Sequence, residues 1–148
     1  MDSWQQSTLR ADTEYRLRFY GNAILLHNQA LDWARCAFEA TVTRNPDLAI
    51  SRIIISHFHL AECYLALDEI ARAGDFYLQA QSFLLDLLRE QRHPALLEAA
   101  QHALGHVDGQ WLGYLKKHRE ALPYQRLLQY HEGARAGAQW EAAHAVRH

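Results

Sequence analysis

Tyr20-Gly21-Asn22-Ala23 opens a stretch that runs through Leu25 and Leu31 and closes on Ala34, Phe38 and Pro46. A second stretch, Leu60-Ala61 through Tyr64, Ile70, Ala73, Tyr77 and Ala80, carries most of the same spacing without the closing proline. From Ala34 to Ala73 the displacement is 39 residues. The shared feature is a small residue followed four positions later by an aromatic. Its recurrence at a fixed displacement marks a repeated helix-turn-helix unit. Such a unit points to an all-α interaction scaffold rather than an enzyme.

Working outward, residues 1–11 are polar and read as a loose N-terminus. Asp12 or Thr13 is placed to cap a first helix, in which Leu17, Tyr20, Ala23 or Ile24, and His27 follow at helical steps. Asn28-Gln29 marks a weak break, and a second helix is expected from Leu31 to Thr43. Asn45-Pro46-Asp47 ends it, because proline disfavours helical geometry at the residue before it. Asp47 then caps a third helix to Leu67. Its Ile53-Ile54-Ile55 run is β-branched, but its flanks are helical. Asp68 caps a fourth helix reaching Glu90, with Gly74 inside it. Glycine costs about 1 kcal/mol relative to alanine there, so a tight helix crossing is the reason to expect for it.

Pro94 suits a first helical position, and Leu97, Ala100, Leu104, Val107, Trp111 and Leu115 continue at steps of three and four. That pattern passes through Asp108-Gly109, where either one helix continues or two meet. Leu122-Pro123 is a break. Tyr124 to Tyr130 reads as a helix, Gly133 and Gly137 weaken its continuation, and Gln139 to Val146 reads as a short terminal helix.

The first two stretches resemble the tetratricopeptide repeat, a helical hairpin of about 34 residues. The likeness covers residues 15–86, with Thr41 and the Tyr20-Gly21-Asn22 segment departing from the pattern; residues 94–148 look like a divergent hairpin and tail. The resemblance implies one domain over 1–148, a right-handed stack of antiparallel hairpins with five to seven helices. It also implies a concave groove lined by the first helix of each hairpin. Carried over by position, the groove would hold Arg16, Phe19, Ala23, Leu26 and His27, then Ile55, Phe58, Glu62, Leu65 and Ala66. Members that dock chaperones clamp a terminal carboxylate with Lys and Asn at positions held here by Phe19, Ala23, Phe58 and Glu62. A carboxylate clamp is therefore not expected. An apolar helix or peptide of a partner suits the groove better, unless the chain's own later helices fill it or it closes a homodimer.

Bulk composition agrees with a folded domain. The chain has 148 residues, 49 % of them hydrophobic. Lys and Arg total 15 against 17 Asp and Glu, for a net charge of −2, which gives no push toward nucleic acid or anionic membrane. No signal peptide is legible at Met1-Asp2-Ser3-Trp4. The apolar runs are far shorter than the roughly 20 residues a membrane helix needs, so a cytoplasmic location is expected. Cys36 and Cys63 match no disulfide framework or metal spacing.

Ten histidines raise the question of a metal. His57 and His59 project from nearly opposite sides of a helix and cannot share one ion. Glu98, His102 and His106 share a face at steps of four, the best local candidate for a Zn²⁺ site, although a solvated polar stripe accounts for the same spacing. No cofactor is expected: there is no HExxH, no Gly-x-Ser-x-Gly, no phosphate-binding loop and no GxGxxG. The expectation is a non-enzymatic adaptor or small chaperone-like scaffold with a protein partner. A His-rich metal-binding protein and a homodimer are the alternatives.

Overall fold

The computed structural model describes residues 1–144. Among them every regular element is helical: α1 (Ser3–Arg16), α2 (Tyr20–Cys36), α3 (Phe38–Val42), α4 (Pro46–Ala66), α5 (Ile70–Glu90), α6 (Pro94–His118), a 3₁₀ turn (Arg119–Ala121) and α7 (Tyr124–His144). The triple isoleucine lies within α4, so the helical flanks prevail over β-branching.

The N-terminus is not loose. Asp2 accepts a hydrogen bond from Gln5 N at 2.9 Å, and Gln5 Oε1 accepts one from Asp2 N at 3.0 Å. This reciprocal capping box nucleates α1 at Ser3. Tertiary contacts then hold the helix down. Trp4 Nε1 donates to Ser56 Oγ at 2.9 Å, and Arg52 pairs with Asp2. The Arg52 guanidinium lies 5.9 Å from the Trp4 ring and 5.2 Å from that of Trp33, tying α1, α2 and α4 together.

The first reversal falls at Leu17–Phe19, not at Asn28-Gln29, which are outward-facing polar residues inside α2. Arg18 takes a left-handed φ of 66°. Arg18 N donates to Tyr15 O and Phe19 N to Glu14 O, closing a Schellman motif without glycine. The same motif recurs at the α4–α5 turn. Asp68 has φ 60°, Asp68 N donates to Leu65 O, and Glu69 N donates to Tyr64 O. Asp68 is thus the turn residue and not a cap, and α5 starts at Ile70 without a side-chain cap.

The two turns are 50 residues apart, and at that displacement buried Ala23 is paired in sequence with Ala73, His27 with Tyr77 and Ala30 with Ala80. The hairpin equivalence therefore differs from the displacement of 39 expected from Ala34 and Ala73. Ala34 and Phe38 instead flank the bend at Ala37 that separates α2 from α3. Further along, Asn45 caps α4 by accepting from Leu48 N at 3.1 Å, with Pro46 and Asp47 in the first turn. Pro94 likewise opens α6, which crosses Asp108-Gly109 as one helix.

Two apolar clusters make the core. One collects Leu31, Phe38, Ile50, Ile53, Leu60, Leu84, Leu88, Leu96 and Leu104 from α2 to α6. The other is aromatic: Tyr64, Tyr77, Trp111, Tyr114 and Tyr130 pack where α4, α5, α6 and α7 meet. Trp111 stacks on Tyr114 at 5.6 Å and meets the Tyr130 ring edge-on at 4.8 Å. Gly74 makes this crossing possible, as expected. A Cβ there would lie 2.6 Å from Tyr114 Oη and 2.7 Å from Tyr130 Cε2.

The glycines of α7 act in the same way and do not break the helix. A Cβ at Gly133 would lie 2.6 Å from Leu78 Cδ1, and one at Gly137 would lie 2.5 Å from Gln81 Nε2. They let α7 approach α5 and α6 closely enough to run unbroken through the expected interruption. The terminal helix expected over Gln139 to Val146 is the end of α7 as far as His144; Val146 lies outside the described residues. No described helix is long and apolar enough to cross a membrane.

Candidate functional site

α4 presents Asp47, Ile50, Ser51, Ile54, Ile55 and Phe58 at steps of three and four, which places them along one stripe. α6 presents Ala99, His102, Ala103 and His106 in the same way. The two stripes face each other across an open groove of about 640 Å³. Its floor is apolar and its rim polar, with Asp47 and Ser51 on one side and His102 and His106 on the other. Phe58 closes one end, its ring 5.9 Å from that of His106. From Asp47 to Phe58 the α4 wall spans about three turns, roughly 16 Å.

Only Ile55 and Phe58 of the expected groove residues line this groove. Ala23, Leu26 and His27 are buried in the packed interior and offer a partner no surface. Arg16 and Phe19 are exposed at the end of α1 and in the first turn, and Glu62 is exposed on α4. Leu65 lies beside a smaller depression with Tyr77 and Tyr114. The physical cause is the first turn: with the reversal at Arg18, α2 is the second helix of its hairpin, and its alanine face points into the core. Ile50, Ile54, Ala99 and Ala103 were missed because the α4–α6 pairing has no local signal.

The histidines sort differently from expectation. Glu98, His102 and His106 lie along α6, with His102 and His106 on the groove. His57 is a satisfied core residue whose Nδ1 donates to Ile53 O at 2.7 Å. His59, on the other side of α4, meets His27 of α2, with ring centroids 4.7 Å apart. Asp12 of α1 joins them. Each of the three offers a potential ligand atom within 4.8 Å of the others, a cluster of ligand-type side chains drawn from three helices. Burial, and then the neighbouring His59, push the His27 imidazole down to about 4.

A separate polar knot joins α5, α6 and α7. Buried Gln81 donates through Nε2 to Asp108 Oδ1 at 3.1 Å and to Gly133 O at 2.7 Å. Burial pushes the Asp108 carboxyl up to about 7 against the lowering effect of Gln81, and the nearby Glu141 carboxylate adds to the rise. Cys36 is exposed and Cys63 buried, and both are free thiols. Burial, then the charges of Glu62 and Asp12, push Cys63 up to about 12, so it is no ready nucleophile.

The chain belongs to the family described as protein of unknown function (DUF2753), which it matches over residues 2–141. No curated protein and no solved structure matches it.

Proposed function

We propose that this protein is a cytoplasmic, non-enzymatic interaction module, an adaptor or small chaperone-like scaffold built of tetratricopeptide-like hairpins. In this reading it takes an amphipathic helix of a protein partner into the groove between α4 and α6. The observation that carries the reading is the groove itself: three turns of apolar floor between two polar rims. Its length and its side-chain steps match a helix that anchors through residues at i, i+4 and i+7. Ile55 is 37 % exposed on the groove, so its burial against a ligand supplies binding energy.

The test is a panel of amphipathic helical peptides, each carrying three apolar anchors at helical spacing, read by fluorescence anisotropy. Wild type binds members of the panel, and Ile55→Arg and Ala103→Glu, on opposite walls, each weaken binding at least tenfold while leaving the circular dichroism unchanged. Equal binding by both variants refutes the groove. A wild-type chain that sediments as a dimer, and an Ile55→Arg variant that sediments as a monomer, would assign the groove to a second copy of the chain instead.

A further inference from the structure

We infer that Asp12, His27 and His59 form a binding site for one divalent transition-metal ion, separate from the α4–α6 groove. Three helices contribute one residue each, so no sequence spacing announces the site. The ligand atoms already lie within 4.8 Å of one another. In a tetrahedral complex they would be about 3.3 Å apart, given metal–ligand bonds near 2.0–2.1 Å. Binding would draw the ligand atoms together by up to about 1.5 Å through side-chain rotation, and Asp12, which is half-buried, is the residue placed to move.

The second observation is independent of proximity. The Nδ1 atoms of His27 and His59 are both buried without a hydrogen-bond partner. Buried ring nitrogens are ordinarily satisfied, as His57 is by Ile53 O. Two orphaned imidazoles side by side leave two unpaired polar atoms in the interior, which is unfavourable until something pairs with them. A shared cation with a carboxylate opposite gives the cluster the positive centre it lacks. It also explains why two imidazoles are kept together here.

Donor chemistry sets the class of ion. Two imidazole nitrogens and one carboxylate oxygen favour Zn²⁺, Co²⁺, Ni²⁺ or Cu²⁺ over Mg²⁺ and Ca²⁺, which take all-oxygen shells. Cys63, one turn beyond His59 on α4, contributes no atom to the group. Three protein ligands leave a position for water, so the coordination sphere is open.

The test uses the full chain, stripped with chelator, and Zn²⁺ titrated in competition with a chromophoric chelator. The expected result is one equivalent bound, with a rise in the thermal midpoint at saturation. His59→Gln and Asp12→Asn roughly keep side-chain size, and each should weaken Zn²⁺ by more than about tenfold in a metal-free protein that still melts cooperatively. His102→Gln/His106→Gln serves as the control and should bind like wild type. If either conservative variant fails to fold, a Co²⁺ titration of wild type provides the second reading, with visible bands of four- or five-coordinate Co²⁺ expected. Three results would overturn the site: no saturable binding, affinity lost in the α6 double variant instead, or a Co²⁺ spectrum of the octahedral hydrated ion. The groove reading is tested by peptides and stands or falls separately.

Discussion

Asp108→Asn is the most informative single change in the packed interior. Asp108 sits mid-helix in α6, accepts from Gln81 at 3.1 Å, and has an Oδ2 that is buried without a partner. Its carboxyl is raised from 3.8 to about 7, by burial first and by Glu141 beyond that. Between those two values the folded chain holds a proton that the unfolded chain has released. The folded state therefore binds more protons, and stability falls as pH rises through the window. The full effect is present below pH 4 and lost above pH 7. Asp108 is only half-buried, so water screens it, and a discounted contribution of about 2 kcal/mol is expected across the window. Asparagine has nearly the same shape, still accepts from Gln81 and does not titrate. Urea unfolding of both proteins at pH 4.5 and 7.5 isolates the effect of Asp108 together with its neighbour Glu141, since the more distant titrating groups cancel in the difference. Relative to wild type, Asp108→Asn should gain about 2 kcal/mol on going from pH 4.5 to 7.5. A stability difference that is the same at both pH values, within about 0.5 kcal/mol, would refute the reasoning.

Two further changes probe the scaffold. Gly74→Ala places a Cβ against Tyr114 Oη, itself held by a 2.5 Å hydrogen bond to Ile70 O, and against fully buried Tyr130. Overpacking should outweigh the helix-propensity gain and leave a net loss of about 1–3 kcal/mol in thermal unfolding; a stabilised variant would show that the crossing is slack. Asp2→Ala removes the α1 cap and the partner of Arg52. The expected loss is about 1 kcal/mol, concentrated in faster amide exchange over residues 3–8, and unchanged exchange would mean that packing alone holds α1.

Much of the helical layout was legible in the residues. Pro94 opens a helix and Pro123 precedes one, as expected; Pro46, expected at the end of the second helix, is the first residue of α4, and the apolar steps from Leu97 to Leu115, which leave one helix or two open, belong to one continuous α6. The candidate site was legible only in fragments. Ile55 and Phe58 line the groove, whereas their expected companions Ala23, Leu26 and His27 are interior. That misplacement follows from the first turn. A left-handed residue is normally announced by glycine or asparagine, and here it is arginine at position 18 and aspartate at position 68. The cap that starts α1 was present as Asp2 and Gln5, but a polar segment of that length reads as loose until Trp4 and Arg52 are seen to dock it.

By itself, the sequence determined the helical class, because periodicity and proline act within a few residues along the chain. It also gave reason to expect a close crossing at Gly74, because an interior glycine carries a cost, and the packed Tyr114 and Tyr130 supply that crossing. Only the tertiary structure decided which faces meet. The joining of His59 to His27 and Asp12, of Gln81 to Asp108, and of the α4 stripe to the α6 stripe depends on how the helices pack. Each residue's own neighbours in sequence carry no record of that packing. Gly133 and Gly137 mark the difference most directly: read locally they interrupt a helix, and in the packed protein they let α7 come close enough to persist.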